Sequence, residues 1–483
     1  MIIGSAIALS FFALLALFVP LESAATTNWL LATLGLLTCF PMVRWLKQRP
    51  VDFFELIYPV AFSYAVFFVL TTPGALNDPL LPYPSLTNAL INRALLYTAM
   101  GFSFLMLGYY GTLPLLISRR LPRLNTSASP GQACRIIYIL YLLGTAFRLY
   151  MIHAGMGTWS VKEEQIEYGS TIPVPLSNLV GYLGNFSVFA YVLATTYFFT
   201  QGRTRMLAFL LWGIMFPLEC LWCFLQASKT SFIPILASPA IAYNYLKRRP
   251  KLRSIALPGL LFVFAVFPLT SAYRGFAKEY PLRLQTLPQV VPEIVKALGE
   301  EVMQPESESY VARGPEMAAE RATGITLFAS VIQHVESRGF IHGETLWQAP
   351  LLLVPTIFLP TKYEHLDYGA TLYSEVIGGF SSDSRTGISL THIGEFYLNF
   401  GLSGVFIGLF LQGVLFRVWQ VYWTNLGKPL GIAIFILGWR MLTSIEYPIS
   451  IAYGLLLREL LLMALISWLI TRGRPPEALG GKR

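Results

Sequence analysis

The stretch RTGISLTHIGEFYLNFGLSGVFIG (385–408) holds the residues whose types and spacing best suit chemistry. His392 and Glu395 stand three apart, and Glu395 and Asn399 four apart, so a helix places all three on one face. Tyr397 falls off that face. Thr391 is positioned to cap the helix, and Glu395 lies in its first turns, where the helix dipole favours an anion. A histidine, titrating near neutrality, can take a proton from a hydroxyl nucleophile. The plainer alternative is that His392 and Glu395 finish a helix end at an interface.

A second set consists of cations set in or against apolar sequence: Arg148, Lys229 (in QASKTSF), Arg274 (in SAYRGFAKEY), Arg385 (in SSDSRTG), Arg440 and Arg458. Charges in a bilayer are costly, so each is a functional candidate, with snorkelling or pairing to Glu219, Glu446 or Glu459 as the structural account of any one. As a set they suit an anion. Arginine matches phosphate oxygens through paired hydrogen bonds, which makes a diphosphate the natural ligand. The other histidines (His153, His334, His342 and His365) carry less weight. Cys220 and Cys223 form a C-x-x-C inside an apolar helix without further ligands, so no metal and no cofactor is expected.

The elements that must position these groups follow from composition. Of 483 residues, 55% are hydrophobic and 13% charged, about half the charge of an average soluble domain. Such a chain is read as an all-α polytopic integral membrane protein, with the lipid bilayer as partner and no role in binding nucleic acid. A span needs roughly 20 apolar residues. About twelve are predicted, near 3–20, 27–43, 53–72, 92–117, 135–152, 174–199, 206–226, 230–246, 254–272, 391–420, 428–446 and 450–471. Met1 to Ala25 lacks the basic start of a signal peptide and reads as the first span.

One set of connecting segments holds 20 cations, Arg417 and Lys428 among them, which makes those segments and both termini cytoplasmic. The opposite face carries one large loop, with nine Lys or Arg against fourteen Asp or Glu over 273–390. The chain thus divides into 1–272 with nine spans, the exterior loop 273–390, the last three spans over 391–471, and a tail, 472–483. Within the loop, 316–337 reads as a helix and 346–360, broken by prolines, as a re-entrant or interfacial element. Five of the six unusual cations then fall at the exterior boundary, with Arg458 deeper. Arg93 and Lys162 read as solvated charges.

Four local patterns resemble the O-antigen (Wzy-type) oligosaccharide repeat-unit polymerases. They are H-x-x-E-F-Y-x-N-F-G-x-x-G (His392 to Gly404), SKTSF (228–232), AYRGF (272–276) and VPTIFLPTKY (354–363). The plan of many spans and one late exterior loop resembles that family along the whole chain. The related O-antigen ligases have a pattern nearer H-N-x-x-L where this chain has His392-Ile393-Gly394-Glu395.

The resemblance implies a GT-C-type, metal-independent glycosyltransferase of the bacterial inner membrane, acting on polyprenyl-diphosphate-linked oligosaccharide at the periplasmic face. On that likeness His392 is the base for the acceptor hydroxyl, and Glu395 orients it or holds the acceptor. Arg274, Arg385, Lys229, Arg148 and Arg440 bind the diphosphate, and Tyr273, Tyr397 and Asn399 contact glycan. A chain-length regulator and a flippase are the implied partners. A ligase is the rival within the same chemistry. A flippase for lipid-linked oligosaccharide is the rival from another class, and should place cations at several depths.

Overall fold

A computed structural model describes residues 20–47, 52–77, 86–122, 130–154, 174–201, 205–266, 324–354 and 390–471, together with 268–270, 292–296, 358–359 and three single positions between 273 and 299. Among the described residues all regular structure is helical. The helices of eight residues or more are α1 Ala24–Lys47, α2 Ile57–Ala65, α3 Asn88–Tyr110, α4 Leu113–Arg120, α5 Pro130–His153, α6 Val174–Gly184 and α7 Phe186–Gln201. They continue with α8 Phe216–Leu225, α9 Lys229–Leu246, α10 Leu252–Leu261, α11 Gly324–Arg338, α12 His392–Asn425, α13 Pro429–Thr443 and α14 Ile449–Thr471. Among the described residues seven helical runs are long and apolar enough to cross a membrane by length and composition, and α13 is a shorter apolar helix. The expected span at 3–20, the tail and most of 273–390 lie outside the described residues.

The chain forms two compact units, each built from three separate stretches. The first comprises Met1–Leu121, Glu316–Tyr422 and Gly438–Arg458. Its centre is α3, capped at the start by the Thr87 hydroxyl, which accepts from Leu90 N at 3.3 Å. Ala94, Leu95, Ala99, Phe102 and Leu105 of α3 are fully enclosed. The α11 helix supplies the large loop's expected helical part, and it is not a solvated strap. Ile325, Phe328, Ala329 and Ile332 are buried at the 3.6-residue spacing of a core-facing stripe. Glycine permits the tightest approach: a Cβ at Gly108 would meet Phe410 O, and one at Gly413 would meet Leu105 O. Such small-residue contacts are how helices pack closely in lipid.

The second unit comprises Pro122–Pro315, Trp423–Leu437 and Glu459–Arg483. There α5 crosses α7 where a Cβ at Gly144 would meet Ser187 N. Tyr191 of α7 donates to Ile235 O of α9 at 2.9 Å.

The sequence reads 391–420 as one span, and the structure places a break in its helix at Gly401. Gly401 has φ 63° and ψ −149° inside α12, a conformation that glycine adopts readily and other residues rarely. Its effect is large. His392 and Gln412 are 20 residues apart, about 30 Å on a straight helix. Yet Gln412 Nε2 lies 2.5 Å from His392 Nδ1. The limb ending at Phe400 therefore folds back along the limb that follows Gly401. A Cβ at Gly404 would sit 2.5 Å from Phe396 O, and one at Gly408 would strike the Phe396 ring. Ile393 from one limb and Leu409 from the other meet at the same point beside Gly101.

Candidate functional site

The short limb begins as the sequence predicts. Thr391 Oγ1 accepts from Gly394 N at 3.2 Å, and Thr391 O accepts from Glu395 N at 3.0 Å. Because the limb folds back, His392 lies inside the first unit rather than at an outer edge, only 1% exposed. Its backbone N–H donates to Ile445 O at 3.1 Å, which ties it to the turn between α13 and α14. Nδ1 is held by Gln412, the ring lies over Tyr453 with centroids 6.3 Å apart, and Nε2 is buried without a partner among the described residues. The Tyr453 hydroxyl, also buried, faces the Gln412 amide.

Glu395 and Asn399 share the limb but serve different neighbours. Glu395 Oε2 accepts from Ser450 N at 3.1 Å. That places a carboxylate on the positive end of α14, a capping arrangement between two distant segments. Asn399 accepts from Gly343 N and donates to Thr345 Oγ1 and Glu395 O, each at 2.8 Å. It fastens the turn that follows α11 to the hairpin. Tyr397 stacks on Tyr97 at 5.7 Å and meets Phe328 edge-on at 5.6 Å, a core position.

The expected interfacial segment 346–360 is described only in part. Leu352 is buried, filling the space a Cβ at Gly454 would need, while Trp347 stands exposed. This part is a short 3-10 helix, Ala349–Leu353.

The cations separate. Arg148 makes a bidentate pair with Glu219, Nη1 to Oε1 at 2.8 Å and Nη2 to Oε2 at 2.9 Å, and lies over Trp222 at 4.8 Å. Its charge is answered within the second unit, the pairing that sequence allowed for any single cation. Lys229 opens α9 in the same unit. Tyr273 is buried there, stacked on Phe224 at 4.6 Å, with its hydroxyl 3.4 Å from Leu225 O. Arg440 belongs to the first unit, in the last turn of α13. Among the described residues it forms no ion pair. Glu446, in the turn beyond, has its carboxyl held above the usual range by burial. Arg274 and Arg385 lie outside the described residues.

One charge differs from the sequence reading, and a second gains a partner. Arg417, counted among cytoplasmic loop cations, sits within α12 and donates to Glu55 Oε1 at 2.6 Å, with Tyr109 on the same oxygen at 3.1 Å. Arg93, read as solvated, is partly exposed and pairs with the exposed Glu336 of α11. Both were invisible because each partner comes from a remote stretch.

Sequence reasoning missed Gln412 and Tyr453. The usable signal was Gln412 itself: an amide inside the apolar run GLFLQGVLF (408–416) is costly unless bonded. Among the described residues no three His, Cys, Asp or Glu side chains are grouped to hold a metal ion. Comparison with models of protein families, with curated proteins and with solved structures finds no match for this chain.

Proposed function

We propose that this chain is a glycosyltransferase that polymerises polyprenyl-diphosphate-linked oligosaccharide repeat units into a surface polysaccharide. It acts at the periplasmic face of a bacterial inner membrane, in a GT-C-like arrangement of about twelve spans with both termini cytoplasmic. One observation carries the reading: a histidine opens the helix after the large loop, with one ring nitrogen held by a second side chain and the other uncommitted. That is the form of a general base with its orienting partner.

In the reaction the acceptor hydroxyl gives its proton to His392 Nε2 while its oxygen bonds the anomeric carbon of the donor. The anomeric carbon–phosphate oxygen bond breaks, and polyprenyl diphosphate departs with the electron pair. The resemblance gives the growing charge to Arg274, Arg385, Lys229 and Arg440, so the step needs no metal. Arg148, matched by Glu219, contributes positioning at most. Since Nε2 is enclosed, the acceptor must part the side chains around it. A chain-length regulator and a flippase are the partners such an enzyme needs.

A second reading has its own observation. A broken helix that carries buried polar groups is an element transporters use, which suits a flippase for the same lipid-linked glycan. His392→Ala separates the two when glycan length is followed in the cells that make it. Single-unit products support the polymerase. Loss of all surface glycan, with lipid-linked units trapped inside, supports flipping. Undiminished long chains remove His392 as base.

A further inference from the structure

We infer that Gln412 is a positioning residue that fixes which nitrogen of the His392 ring carries the proton, and that its amide must turn over before His392 can act. This deepens the transferase reading and rests on it only for the second half. Gln412 presents its amide nitrogen to Nδ1 at 2.5 Å. An amide N–H donates, so Nδ1 offers its lone pair, and in a neutral ring the proton then sits on Nε2. In that form Nε2 has no lone pair for a hydroxyl proton. The resting histidine is a donor, not a base.

Turning the amide by half a revolution exchanges its two ends within nearly the same volume. Oε1 then accepts from Nδ1–H, and Nε2 is left bare. When Nε2 takes the acceptor's proton, the imidazolium keeps its Nδ1–H bond to Oε1. The Tyr453 hydroxyl lies beside the amide and bars neither setting, because a hydroxyl can donate to an amide oxygen or accept from an amide nitrogen. Gln412 Oε1 and the Tyr453 hydroxyl are both buried, each without a hydrogen-bond partner among the described residues. The switch is therefore closed off from water, and the two settings compete only with each other. Opening of the pocket by an acceptor sugar supplies the change that selects the bare-Nε2 form.

The test reads the tautomer directly. The full-length protein, labelled with nitrogen-15 histidine and reconstituted in phospholipid vesicles without substrate, is measured by solid-state NMR. The His392 signals are assigned by their loss in His392→Asn. The expected spectrum shows Nδ1 unprotonated and Nε2 protonated. A resting ring with Nδ1–H overturns the inference, with no variant needed.

In Gln412→Met, which keeps the volume and removes the donor, the preference is lost and both tautomers are populated. An unchanged spectrum in that variant also overturns the inference. Glycan length in cells is scored separately, and Gln412→Met is expected to lower polymer formation about 10- to 100-fold, less than the roughly 10²- to 10⁴-fold of a whole general base because the base itself remains. If the tautomer follows Gln412 but His392→Asn still makes long chains, the transferase reading fails and the hold of Gln412 on the ring stands. If His392→Asn abolishes polymer while the resting ring carries Nδ1–H, the enzyme reading stands and the inference falls.

Discussion

Replacing Glu219 by Gln leaves the Arg148 guanidinium buried opposite a neutral amide. Removing one partner of a buried pair costs about 3–5 kcal/mol, because the remaining charge keeps its desolvation penalty. The melting temperature of detergent-solubilised Glu219→Gln should fall well below that of the unaltered protein. The double variant Arg148→Met with Glu219→Leu should recover most of the loss, since apolar replacement of a whole pair is often neutral. If the double variant also polymerises glycan normally, Arg148 has no part in holding diphosphate. This residue shows how far position in a sequence can go. Arg148 and Glu219 were both legible as charges in apolar stretches, and each was the other's explanation, but only the fold brings α5 against α8.

The hairpin in α12 has a direct signature. A disulfide requires Cα atoms within about 7 Å. Phe396 and Gly408 would stand about 18 Å apart along a straight helix, whereas a Cβ at Gly408 strikes the Phe396 ring here. Phe396→Cys with Gly408→Cys, in a chain whose four native cysteines are replaced, should cross-link under mild oxidation within a single chain. Unmodified thiols under those conditions would mean that the limb does not fold back.

The Thr391 cap and the common limb of His392, Glu395 and Asn399 follow from spacing alone. The reversal does not, because the polar residues of 392–400 read equally well as the first turns of a span whose apolar run follows Gly401. The fold-back turns on the left-handed backbone of one residue, and a backbone angle is not written in the hydropathy of a sequence. The partners of the limb were hidden for the same reason. Ser450, Thr345 and Gln412 become neighbours only once it turns.

Across the whole molecule, the cations that determine sidedness predict cytoplasmic faces at 119–123, 247–253 and 472–483, and an exterior face for 273–390. Fusions to alkaline phosphatase and to green fluorescent protein after residues 121, 250, 300 and 475 check this. Fluorescence is expected at 121, 250 and 475, and phosphatase activity at 300. Phosphatase activity after 475 would reverse the orientation on which a periplasmic reaction depends. The all-helical architecture was evident from composition. The division into two interleaved units was not, since no shift of composition marks Leu121, Tyr422 or Arg458.

That interleaving sets a clock on synthesis. Glu55 and Arg417 are 362 residues apart, and at the usual 5–20 residues per second the arginine emerges roughly 20 to 70 s after the glutamate. For that interval the cationic partner that Glu55 has in the folded chain does not yet exist. Its carboxylate must stay at the aqueous boundary, which its place in the short segment before α2 allows. The first unit therefore cannot close as it is made. It stands open in the bilayer while nearly all of the second is threaded, and it is sealed only when the chain is almost complete.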